Sequence, residues 1–360
     1  MSTHPYKTLP DYAFWSRSVA LPALEDVDPV VAAKFKITPD DRVATGGSCF
    51  AQHIGRELAA AGFNYFVTET AHPAFEEAAA GFNYGIFTAR YGNIYTARQL
   101  LQLFHRAYGL FVPLDAVWHE ANGRLKDPFR PEIQPAGFAS MIEFQADQRQ
   151  HFVAVRRAVE EMDVFAFTLG LTETWRDRRD GAIYPLCPGV SGGTYDPARH
   201  EFVNLTVDEV TSDLRAAIAF IKERNPKVRI VITVSPVPLV ATYEPRSVLE
   251  STTYSKSVLR VAAEQVCGAA SDVAYFPSYE IITGNHARGA YFGDDLRSVT
   301  DEGVSHVMRL FFRHYTDTLP HPQDAARRSS ADIDEAAQRH RRKMRKVAAL
   351  ICDEEQLDGR

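Results

Sequence analysis

The sequence predicts an α/β protein: a three-layer α/β/α sandwich around a mostly parallel, five-stranded sheet. Short, near-continuous apolar runs recur along the chain, as strands covered on both faces require. Amphipathic segments of helical period separate them, the alternation of a doubly wound sheet. The 360 residues are 45% hydrophobic and 24% charged, enough apolar material to build such a core unaided.

An N-terminal arm carrying Pro5, Pro10, Pro22 and Pro29 precedes the first strand pattern, Arg42 to Gly47. That run enters a glycine turn and then a helix over Ala51–Ala60, with Ile54, Leu58 and Ala61 at apolar spacing and Gly62 as its stop. Tyr65–Thr68 reads as the second strand. A helix over about Asp147–Met162 leads into the strand Val164–Gly170. The next helix begins at a capping box, Thr206 with Glu209, buries Val210, Leu214, Ala217, Ile218 and Ile221, and ends before Pro226. Strand Val228–Ser235, helix Ser255–Cys267, strand Val273–Phe276 and helix Asp301–Arg313 complete the core. Two stretches break the alternation. Residues 71–126 form an insertion with a helix over Thr96–Tyr108, and residues 177–204, rich in Gly, Pro and Tyr, make a lobe of short antiparallel strands. The folded domain spans 1–319; residues 320–360 form a charged, solvated helical tail with a basic run at Arg341–Lys346.

Composition excludes several classes. Forty basic residues against 46 acidic ones leave a net charge of −6, the wrong balance for a dedicated nucleic-acid binder. No apolar run reaches the ~20 residues of a membrane span, and Met1–Trp15 lacks the pattern of a secretory signal. Cys49, Cys187, Cys267 and Cys352 lie far apart, which points to reduced thiols in a cytoplasmic protein. No spaced ligand set suggests a metal, and no cofactor is expected.

In an open parallel sheet, ligands bind beyond the carboxyl ends of the strands. The residues that follow each strand are therefore the candidate site. The first strand delivers Ser48 and Cys49 to a helix start, where unpaired N–H groups favour a thiolate or an oxyanion. A glycine-rich turn with a small capping serine is the plainer reading of the same residues. After Gly170 come Thr172 and Glu173, a hydroxyl for an oxyanion and a carboxylate for the crevice. The last strand runs on to Tyr279 and Glu280, polar groups for a substrate or for closing the turn. In the insertion, Asn83 and Gly85 offer a side-chain amide and a backbone N–H.

The run Gly47-Ser48-Cys49-Phe50-Ala51 resembles the name-giving motif of the GSCFA family, relatives of the SGNH (GDSL-like) hydrolases. Asn83-Tyr-Gly85, Thr168-Leu-Gly170, Thr233-Val-Ser-Pro236 and Tyr275-Phe-Pro-Ser-Tyr-Glu280 extend the likeness over about Pro5–Arg313. The resemblance implies the same α/β/α fold, in its flavodoxin-like form, and an esterase or acyltransferase ancestry acting on a small or carbohydrate ester. Against the SGNH Gly-Asp-Ser block, Cys49 takes the nucleophile's place if Gly47 matches its glycine; Ser48 takes it if Gly46 does. Gly85 resembles the second-block oxyanion glycine, and Thr172 stands where the third block has asparagine. The final Asp-x-x-His block is departed from: Asp295 fits, but Ser298 replaces the histidine. A serine cannot accept a proton as imidazole does at neutral pH. His306 on the last helix, or His53 one turn beyond Cys49, would have to substitute. Without a substitute the expectation is a binding protein for a carbohydrate or acyl ligand. A phosphate-binding turn is a weaker reading, since no P-loop lysine follows Gly47.

Overall fold

The computed structural model describes residues 4–72, 79–268, 270–317 and 353–358. Apolar runs with no polar face become adjacent strands: β1 (Val43–Gly47), β4 (Val164–Leu169), β8 (Arg229–Val234) and β9 (Val273–Tyr275) pair in that order, all parallel. Alternate side chains enter opposite layers, as the two-residue period of a strand demands. Phe165, Phe167 and Leu169 of β4 join Ile230, Ile232 and Val234 of β8 in one core. Val164, Ala166 and Val231 point into the other. The first core is roofed by α2 (Ala97–Ala107), α3 (Met141–Glu161), α4 (Val207–Arg224) and α5 (Val248–Cys267). The second lies under α1 (Phe50–Ala60), α6 (Ser278–Thr283) and α7 (Asp301–Tyr315). This is the three-layer α/β/α arrangement.

The fifth strand expected at Tyr65–Thr68 is reduced to a bridge. Tyr65 pairs with Val43, and the Phe66 amide donates to the Val43 carbonyl at 2.9 Å. The chain then leaves the sheet, because the Thr68 amide donates to the carbonyl of Thr88 in the insertion rather than to β1. The sheet proper has four strands among the described residues. The capping box at Thr206–Glu209 forms as expected, and Val210, Leu214, Ala217 and Ile221 of α4 are buried. Both irregular regions carry secondary structure of their own. The first holds α2 and a small hairpin, β2 (Trp118–His119) with β3 (Leu125–Lys126). The second is an antiparallel sheet in which β5 (Glu173–Asp177) lies between β6 (Ile183–Tyr184) and β7 (His200–Asn204).

A buried ionic cluster ties the first insertion to α3. Arg90 lies 2.6 Å from Asp147 and 3.6 Å from Glu69; Arg130 lies 2.7 Å from Asp147 and 2.9 Å from Asp127. His151 bonds Glu69 at 2.8 Å, and the Arg106 guanidinium covers the Phe129 ring. Among the described residues, no helix is long and apolar enough to cross a membrane. The basic run at Arg341–Lys346, and Cys352, lie outside the described residues. The part of the tail that is described, residues 353–358, is a short 3-10 turn, and contrary to a solvated tail it carries a buried side chain, Glu354.

Candidate active site

The site is built from the last residue of β1 outward. Gly47 has φ +131°, a backbone only glycine adopts readily, and pairs with Thr168 of β4. A Cβ there would fall 2.2 Å from the Thr168 carbonyl oxygen. The glycine therefore lets the chain turn tightly over β4 and start α1 at once. Ser48 donates its amide to Thr168 at 3.3 Å and packs against Gly170, where any side chain would meet Ser48 Cβ at 3.1 Å. Its hydroxyl is buried and finds no hydrogen-bond partner among the described residues. Cys49, one residue on, caps α1 and is only half-buried. Of the two candidate nucleophiles, the thiol is the accessible one.

The segment pressed against this turn is Gly92–Tyr95. The Ile94 amide donates to the Gly47 carbonyl at 2.8 Å, Gln52 of α1 bonds the Asn93 side chain at 3.3 Å, and Tyr95 accepts from the amides of Gly170 and Leu171. Gly85, expected beside the nucleophile, instead occupies an exposed turn with φ +75° and open space around it. Asn83 precedes it at φ +61°, donates to the Glu132 carbonyl at 3.2 Å, and shares a cleft with Gly92 and Asn93.

The loop after β4 turns inward, and Thr172 is fully buried. The Thr172 amide donates to Ser255 at 3.0 Å, and its hydroxyl donates to Asn204 at 2.7 Å. That hydroxyl is thus committed to β7. Glu173 accepts from Thr242 at 2.7 Å, and burial raises its pKa. Tyr279 packs against the first core, and Glu280 braces Arg260 and the Tyr275 hydroxyl, each at 2.8 Å. Tyr279 and Glu280 both lie in α6, the short helix that follows the last strand. Asp295 and Ser298 form an exposed turn in which the serine hydroxyl donates to the carboxylate at 2.5 Å. No imidazole stands in this turn. His306 of α7 is turned elsewhere: its ring is buried and bonded to the Tyr291 hydroxyl at 2.7 Å, with burial taking its pKa down to about 4. His53 is likewise desolvated beside Phe50, with a pKa lowered to about 4.

Three charged residues outside the expected set converge instead. Lys256 of α5 is buried, donates to the Gly170 carbonyl at 2.7 Å, and has its pKa lowered by burial to about 8. Both Cys49 and Glu354 lie within its electrostatic reach and favour its charged form. Arg297, from within the Asp295–Ser298 turn, pairs with Glu354 at 3.0 Å and donates to the Pro238 carbonyl at 3.2 Å. Burial raises the pKa of Glu354 despite both cations. Lys256 was legible in principle. It stands three residues before Leu259 and seven before Ala263, on the apolar face of α5, where a charged side chain needs a reason. Glu354 carried no such signal in a tail dense with charges.

Fold and turn together define an α/β protein with a parallel central sheet and a half-buried cysteine where the first strand passes into its helix. The sequence profile of the GSCFA family matches residues 42–311. The chain belongs to that family. No curated protein matches it significantly.

Proposed function

We propose that this protein is an ester hydrolase or O-acyltransferase of SGNH-like kinship, acting on a small acyl ester or acylated carbohydrate through Cys49. The observation that carries the reading is the contrast within the motif. Ser48 is buried, while Cys49 is half-exposed at the start of α1 and within the field of a buried lysine. A helix N-terminus and a nearby cation both favour the thiolate, which is the attacking species.

The Cys49 thiolate adds to the acyl carbon; the carbon–sulfur bond forms and the ester carbon–oxygen bond breaks. The departing alkoxide takes a proton from the Lys256 ammonium. Water or an acceptor hydroxyl then attacks the thioester, returns a proton to the lysine amine and releases the thiolate. A lysine with a pKa near 8 exchanges protons readily near neutral pH, so the missing histidine is not required. Backbone N–H groups at the start of α1 would hold the oxyanion. An alternative is a binding protein without turnover, favoured by Ser298 standing where an imidazole is expected and by its bond to Asp295.

The test is intact-mass analysis after exposure to an activated acetyl ester. Wild type and Ser48→Ala should gain one acetyl adduct, and Cys49→Ala none. Absence of both adduct and ester turnover across roughly pH 6–9 would refute the enzyme.

A further inference from the structure

Lys256 and Arg297 place two cations in the crevice. Their anion, Glu354, arrives from outside the family-matched region: both cations fall within residues 42–311, and the glutamate lies beyond it. The Arg297 and Glu354 side chains are 14% and 10% exposed, and Lys256 is more deeply buried than either. A carboxylate desolvated to this extent is costly unless paired, and the two cations offset only part of that cost here. The pair belongs to the part of the chain common to the family, whereas its occupant does not.

From this juxtaposition we infer that Arg297 and Lys256 form an anion subsite beside Cys49, suited to acyl groups that end in a carboxylate. Glu354 fills the subsite in the resting chain as an internal competitor. The planar guanidinium matches a carboxylate edge-on. Glu173 also lies within the field of Glu354, so a singly charged group is tolerated where a doubly charged phosphate would be repelled. The acyl portion of the inference rests on Cys49 being the nucleophile. The anion subsite does not.

The experiment uses the full chain and two alkylating reagents of nearly equal size, anionic iodoacetate and neutral iodoacetamide, with the Cys49 peptide quantified by mass spectrometry. Glu354→Gln keeps the side-chain shape and removes the charge; Glu354→Ala empties the position. Both should raise the iodoacetate rate relative to iodoacetamide by about tenfold, the equivalent of ~1.4 kcal/mol, just below the range of a charged hydrogen bond. Adding Arg297→Gln should abolish that preference, with the denaturation midpoint reporting that the fold persists. In the Glu354→Gln variant, glutarate should protect Cys49 from iodoacetate more strongly than inorganic phosphate does. An unchanged reagent ratio, slower alkylation without Glu354, or no alkylation of Cys49 in any variant would overturn the subsite. A preserved iodoacetate preference with no acyl adduct would remove the acyl-transfer reading alone.

Discussion

Replacing Gly47 by alanine tests whether the sheet itself aims the nucleophile. Two separate costs arise. The first is conformational: φ +131° is strained for an L-residue, about 1–3 kcal/mol. The second is steric. The new methyl would lie 2.2 Å from the Thr168 oxygen, 2.8 Å from its nitrogen and 2.9 Å from its carbonyl carbon. All three are backbone atoms of the central strand β4, paired on its far side with β8, so relief requires opening the sheet. Forcing extra carbon into a packed site costs typically ~1–3 kcal/mol. Together the two terms come to about 2–6 kcal/mol. Gly62 supplies the control, since it has φ +84° but nothing within 4 Å of its added Cβ. Gly62→Ala should therefore lose only the conformational part, about 1–2 kcal/mol. Urea denaturation of both variants gives the comparison directly. Equal losses would refute the steric argument. Because Cys49 follows this contact by two residues, alkylation of its thiol should change in Gly47→Ala and not in Gly62→Ala.

Removing one charge from the buried cluster, as in Arg130→Met, should cost about 3–5 kcal/mol, because Asp127 and Asp147 would be left buried without their main partner; thermal unfolding checks it. Acid should destabilise the fold in two windows. His306 and His53 have pKa values lowered to about 4, so stability falls as the pH drops from the usual histidine value near 6.5 toward 4 and only the unfolded chain binds the protons. Burial works against the charge of Glu69, yet its bond to His151, the Arg130 charge and the Arg90 amide hold its pKa at about 2; its contribution is present above the usual carboxylate value and is lost as the pH falls toward 2. A Glu69→Gln variant should show a shallower loss over that lower window in pH-dependent denaturation. His306→Asn should lower stability yet leave the rate of Cys49 acylation within about twofold, since the ring bonds Tyr291 rather than the crevice; a tenfold loss would return the histidine to the mechanism.

Much of the fold was readable because burial on both faces leaves a strong mark. Val164–Leu169 and Arg229–Val234 carry scarcely a polar side chain, and an amphipathic helix with a capping box precedes the second of them. The failure at Tyr65–Thr68 has a physical cause: an edge segment has one pairing partner, and a competing carbonyl from the insertion captured its amide. The site was half readable. Strand ends nominated Ser48, Cys49 and Thr172, but the choice between serine and cysteine turned on burial, which spacing does not encode. Gly85 misled because its positive φ serves an ordinary surface turn, while the segment that packs on the nucleophile turn is Gly92–Tyr95. Arg297 carried no signal of its own, being one of many charged residues in an exposed stretch whose spacing drew attention to Asp295 and Ser298. Glu69, Arg90 and Asp147 gave no warning, since the pairs Arg90 makes with the other two join distant parts of the chain.

The ion pair between Arg297 and Glu354 joins two parts of one covalent chain. Its occupancy is therefore indifferent to dilution: the two groups belong to one chain, so their local concentration does not change with how little protein is in the tube. Any visiting anion has to outcompete that standing concentration, so weak visitors would register only at high dose. A fusion partner or affinity tag placed after Arg360 would sit a few residues from this contact and could alter the apparent affinity without touching the crevice.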